Sequence, residues 1–142
     1  MDTSRADRIA YDLLSIDTLH HVDEQFIHQY IVDTYTAQTA TIETKEIALI
    51  FALVGLYLHV EHHYTGRQIQ DAHMQLASGP HTWPKLVFPQ YRGSITAAMV
   101  VREPHGSKRN AMIDLWAAAV WHAWQESHAV VKDLVHTRLE VV

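Results

Sequence analysis

The sequence predicts an all-α domain of about five helices around a four-helix-bundle-like core, with a long proline-containing loop before the last helix. Three features carry this. Apolar residues recur at spacings of 3 and 4 along most of the chain. All four prolines are confined to the stretch from Pro80 to Gly106. No repeat, linker or low-complexity tract divides the remainder, so residues 1–142 read as a single helical domain. A chain of this length can bury about 70% of its unfolded surface, enough for one self-sufficient core.

The first helix is expected from about Ser4 to His21, with Ile9, Leu13, Ile16 and His20 as its core-facing stripe. Asp23 offers an N-cap and Glu24 a dipole-favoured acid for a second helix running to about Ala40, with Ile27, Ile31, Thr34 and Gln38 on one face. After a polar break at "TATIETKEIA", a third helix carries the apolar run Ile47 to Leu58 and ends near His63 or Tyr64. It is apolar nearly all round, so it is central to the bundle or shared with a second subunit. Gly55 in its middle costs about 1 kcal/mol relative to Ala, which a close helix crossing would offset. Thr65 precedes Gln68 by three residues, a capping-box spacing that opens a fourth helix ending near Ser78 and Gly79. The segment from Pro80 to Gly106 is read as mostly loop, with a short helical turn after Thr96. One long last helix follows, with Ile113, Ala117, Val120, Trp124, His128, Val131 and Val135 on its stripe, and Ala117 to Ala119 small enough to admit a close neighbour.

Composition removes several functions. There is no cysteine, which excludes thiolate catalysis and disulfides and makes a cytoplasmic location the expectation. The opening residues do not read as a secretory or transit signal. The 12-residue apolar run falls short of the roughly 20 residues that span a bilayer, so no membrane partner is expected. A net charge of −5 without a basic cluster argues against nucleic acid. GxGxxG, GxxxxGK[ST], GxSxG and HExxH are all absent. Twelve histidines stand out: protonating all of them would carry the formal charge from −5 to +7, and a model histidine titrates near pH 6.5.

Histidine spacing offers the only metal chemistry. His59 and His63 are four apart, as are Glu24 and His28, so each pair shares a helix face. Up-down connectivity would gather His20, His21, Glu24, His28, His59, Glu61, His62 and His63 at one end of the bundle. A polar, solvated helix end explains the same residues without a metal. His128 falls on the apolar stripe of the last helix, where a satisfied core histidine is the plainer reading. Trp116, Trp121 and Trp124 follow the helix period and read as core, while Asp33 and Gln38 read as members of an inter-helix hydrogen-bond network.

Together "FIHQYIVDTYTAQ", the apolar helix ending in Glu61, Trp83-Pro84, "GSIT" and "WAAAVWHAWQESHAVV" resemble an uncharacterised bacterial family known only as a domain of unknown function. The resemblance spans roughly Phe26 to Lys132 and implies that His28, Asp33, Gln38, Glu61, Trp121, Trp124 and His128 occupy family positions. This chain lacks the cysteine-containing opening of many members, and has Ala52 where they carry a histidine within the third helix. The family implies a fold but no reaction.

Two main readings follow. One is a non-catalytic binding or regulatory protein, a homo-oligomer through an apolar face of the third or last helix, with no assigned small-molecule ligand. The other is a metal-dependent bundle enzyme resembling DinB-like proteins in architecture, with His28, Glu61 and His128 holding a divalent transition metal, zinc or nickel, that activates water or a substrate. A third is a pH-responsive binder using the histidine-rich end.

Overall fold

The computed structural model describes residues 4–20 and 25–139. Among them every regular element is helical: α1 (Ser4–His20), α2 (His28–Thr39), α3 (Glu46–His62), α4 (Gly66–Ser78), α5 (Ala97–Arg102), α6 (Ser107–Ala123) and α7 (His128–Arg138), with a 3-10 turn at Gln125–Ser127. The expected five helices are therefore seven. The short turn after Thr96 is a true helix, capped by the Thr96 hydroxyl accepting from Met99 N–H at 3.4 Å, and the long last helix is broken in two.

The break has a physical cause that no glycine or proline announces. Ser127 is buried, and its hydroxyl accepts from Val87 N–H at 2.9 Å, drawing the backbone toward the proline loop. Trp124 N–H bonds Trp121 C=O and Ser127 N–H bonds Trp124 C=O, the tighter i to i+3 pattern.

α3 is the centre. Nine consecutive or near-consecutive residues from Leu49 to Leu58 are buried all round it, and α2, α4, α6 and α7 pack against it. At Gly55 the crossing with α2 is so close that a Cβ there would collide with the Asp33 carboxyl, with Ile69 of α4 next to it. His63 ends the helix in the left-handed conformation (φ 57°), its N–H bonding the His59 carbonyl. The Thr65 capping box then opens α4: Gln68 N–H donates to Thr65 Oγ1 at 3.2 Å and Thr65 N–H to Gln68 Oε1 at 2.8 Å. α2 begins at His28; Asp23 and Glu24 lie outside the described residues, as does His21.

α1 corrects the sequence reading. Ile9, Leu13, Ile16 and Leu19 are 51% to 56% exposed, and the face turned inward carries Ala10 and Leu14. Two apolar stripes compete on this helix, and the polar residues beside the inner one decide. Asp7 accepts from Ala98 N–H at the start of α5, and Asp17 pairs with Arg109 at 3.2 Å and His105 at 3.0 Å. Tyr11 stacks on Tyr35 of α2 at 4.0 Å on the same side.

The loop before α6 is tied down along its length. Arg92 donates to Pro89 C=O (2.6 Å) and to the Ala37 and Gln38 carbonyls at the end of α2, and stacks over the Trp124 ring. Gln38 donates to Ile95 C=O at 2.7 Å and accepts from the Trp116 indole N–H at 2.9 Å. Gly93, at φ +95°, lets the loop lie against Ala119, the close approach the small alanines allow.

Gly55→Ala is expected to lower the unfolding free energy by about 2 to 3 kcal/mol through overpacking, read by urea titration. In an Asp33→Ala background the same change should cost less than half as much, because the colliding group is gone. Equal costs in both backgrounds would show that the crossing is not held by this pair.

Candidate functional site

The three residues suspected of metal binding are placed unequally. Glu61 and His128 meet around one tryptophan. Trp121 Nε1–H donates to Glu61 Oε2 at 2.7 Å, and the His128 ring stacks on the Trp121 indole at 3.8 Å and 11°. His128 Nε2 lies 2.7 Å from Trp121 C=O, the carbonyl at the helix break. A carbonyl can only accept, so Nε2 carries the proton. Lys132, one turn on from His128, reaches Glu61 Oε1 at 3.2 Å and passes over the Tyr57 ring. His28 sits elsewhere, half-buried at the start of α2, with Nδ1 3.0 Å from the Thr18 hydroxyl of α1. Burial lowers its pKa, partly offset by the Ser15 carbonyl.

The remaining histidine end disperses as well. His59 stacks on Tyr30 at 3.6 Å and pairs through Nε2 with Asp114 of α6 at 3.0 Å. His62 bonds the Tyr57 hydroxyl at 2.9 Å. Among the described residues, no three histidine, aspartate or glutamate side chains gather into a metal-ligand set. At the Trp121 cluster both Glu61 oxygens and one His128 nitrogen are engaged, leaving His128 Nδ1 as the one polar side-chain atom of the cluster without a hydrogen bond among the described residues. A zinc or nickel site wants three or four converging donors; Glu61 and His128 stand together at Trp121, while His28 lies on α2 beside Thr18.

Electrostatically the cluster holds Glu61 ionised. Burial pushes its carboxyl up, but the Trp121 N–H and the Lys132 ammonium, with a smaller electrostatic contribution from the neighbouring His128, bring it below the ordinary carboxylate range. A carboxylate so engaged is a poor base; its chemistry is that of a clasp between the end of α3 and the broken α6–α7 junction.

Asp33 is the opposite case. It is 4% exposed, Oδ1 accepts from Gln29 Nε2 at 3.0 Å, and Oδ2 has no hydrogen bond. Burial raises its pKa well above the usual range, the Gln29 bond only partly opposing. Burial thus favours the neutral form of an acid whose carboxyl lies against Gly55. Of the two residues read as network members, Gln38 bridges α2, α6 and the loop, whereas Asp33 bonds only Gln29 among the described residues.

Sequence reasoning missed Lys132, Asp114 and Arg92. Lys132 is four residues after His128 and shares its helix face, a signal that was available; Asp114 and Arg92 meet their partners only through the tertiary fold.

The chain matches the model of a family of unknown function, DUF5946, over residues 7–125, and belongs to that family. The matched span takes in most of α1, which the motif resemblance did not cover, and stops before His128. Comparison with curated proteins gives no match, and comparison with solved structures gives none.

The buried acid sets a pH dependence. An aspartate ionises near pH 3.9 in the unfolded chain and higher in the folded one, so the stability that neutral Asp33 contributes is complete below about pH 4 and declines as pH rises toward the folded value. Asp33→Asn, which stays neutral, should match the parent near pH 3.5 and gain on it as the pH rises above about 4. Urea midpoints that differ by a constant amount across this range would contradict the assignment.

Proposed function

We propose that this member of the family of unknown function is a non-catalytic binding or regulatory protein that acts as a homo-oligomer, assembling through the outward face of α1. The observation that carries the reading is the exposed stripe Ile9, Leu13, Ile16 and Leu19. Four large apolar residues on one face of one helix are a contiguous patch rather than scattered exposure. Ile9, Leu13 and Ile16 repeat at spacings of 4 and 3, the seam spacing of paired helices. A second copy offers the same stripe, so a two-fold axis across α1 would bury both at once.

The face differs from the one first suspected. α3 is buried along most of its length, with Phe51 and Val60 only partly covered, and the last-helix segment leaves one large apolar side chain, Leu115 of α6, exposed, so neither offers a stripe like that of α1. No described helix is long and apolar enough to cross a membrane, and α1 mixes Arg5 and Arg8 with Asp7 and Asp12, so a protein partner suits it better than an anionic lipid surface. Supporting the non-catalytic part, the Glu61 and His128 groups are spent on internal partners at the helix break.

Sedimentation velocity should show dimer or higher assembly at about 10 to 50 µM, within the range of modest interfaces. Leu13→Glu with Ile16→Lys should give monomer with unchanged helical circular dichroism. A parent protein that stays monomeric at these concentrations overturns the reading. The metal reading has its own measurement: untagged protein should carry less than about a tenth of an equivalent of zinc or nickel, against the one equivalent a structural or catalytic site retains. A stoichiometric metal lost in Glu61→Ala and His128→Ala would replace this proposal with that one.

A further inference from the structure

The loop between α4 and α5 is unusual in what it costs and what it displays. Arg92 is partly withdrawn from water with carbonyl groups for partners, and that desolvation lowers its pKa. Gln38, Trp116, Trp124 and Ser127 are also committed to the loop or to its anchor at the end of α2. At the far end Arg138 donates to the Pro80 and Thr82 carbonyls and stacks over Trp83. An irregular segment of this length in a compact domain is uncommon, and is usually functional when ordered. Here a rigid loop turns apolar groups outward: Val87, Phe88 and Tyr91 are exposed, and Ile42 beside them is 92% exposed.

Phe88 forms a crest between two depressions. On one side lies a cavity of about 220 Å³ lined by Ile42, Leu49, Ile50, Leu86 and Glu46. On the other is one of about 480 Å³ lined by Val87, Tyr91, His122, Gln125 and Glu126. In each, the one Asp, Glu, Lys or Arg side chain of the lining is a glutamate. Both glutamates are exposed, and neither has a hydrogen bond or ion pair among the described residues.

We infer that this crest and its two grooves form a docking site for a short segment of another protein, apolar in the middle and basic at both ends. The apolar side chains would lie in the grooves astride Phe88, and a lysine or arginine at each end would meet Glu46 and Glu126. Preorganisation is what such a site needs, because a loop already held in place loses little freedom when it binds. Two like-signed rim charges around an aromatic anchor favour a basic segment and reject an acidic one. This inference does not depend on assembly through α1.

The test uses the full chain and three fluorescein-labelled eight-residue peptides followed by anisotropy. The first has lysine at both ends and leucine, valine and phenylalanine within; the second exchanges the lysines for glutamates; the third keeps the lysines around a serine interior. Saturable binding is expected for the first, with about tenfold or greater weakening for each of the others. Phe88→Ser should abolish it, and Glu46→Gln with Glu126→Gln should weaken it about tenfold and flatten its salt dependence. Leu13→Glu with Ile16→Lys should leave it unchanged. Three outcomes overturn the inference: no preference among the peptides, binding that survives both groove variants in folded protein, or a change in sedimentation with Phe88→Ser, which would mean that a second copy covers the crest.

Discussion

The approach of α2 to α3 at Gly55 sets the spacing of the whole molecule. α3 is apolar on every side, so it is stable only when enclosed, and four other helices take their positions from it. Where α2 crosses, the missing side chain of Gly55 admits the Asp33 carboxyl into a place with no room for a Cβ. One turn away the same closeness lets Tyr30 stack on His59 at 3.6 Å and send its hydroxyl to the Tyr64 carbonyl at 2.8 Å. The cost is a buried acid with one oxygen unpartnered and its pKa raised by burial. Shape has been preferred here over polar satisfaction.

The opposite choice is made at the other side of the core. Where α6 gives way to α7, carbonyls released by the break are taken up: Trp121 C=O receives both Trp124 N–H and His128 Nε2. Ser127 turns inward to hold the loop at Val87. His128 and Glu61, which as bare sequence suggested ligands, stand at this junction bound to the two polar ends of one tryptophan, its carbonyl and its indole N–H. Lys132 completes the pairing and keeps Glu61 charged. The site reads as a clasp, and the surfaces that face outward, α1 and the loop crest, are where partners are proposed to meet the protein.

Much of the architecture was legible because periodicity, capping and helix breakers are local. The Thr65 and Gln68 box, the short helix after Thr96, the central position of α3 and the close crossing at Gly55 all follow from spacing within one segment. Three matters were not local. α1 has two apolar stripes, and the choice between them depends on Asp7 and Asp17 finding α5, His105 and Arg109, some ninety residues away. The break at Trp124 contains good helix formers and is imposed by Val87. The histidine-rich end looked like a cluster because topology brought its backbone together, yet His28, His59 and His62 each found a separate partner on Thr18, Asp114 and Tyr57.

Arg92 couples two parts of the chain that a diagram would draw as independent. Its guanidinium is neutralised by the negative end of the α2 dipole, through the Ala37 and Gln38 carbonyls, and by no carboxylate among its bonded partners. That charge partner exists only while the last turn of α2 is wound. Fraying of α2 therefore deprives a half-buried cation of two of its carbonyl partners, and release of the loop leaves those helix carbonyls without it, so each supports the other. The end of α2 and the loop are thereby tied to one another although they lie more than fifty residues apart in sequence.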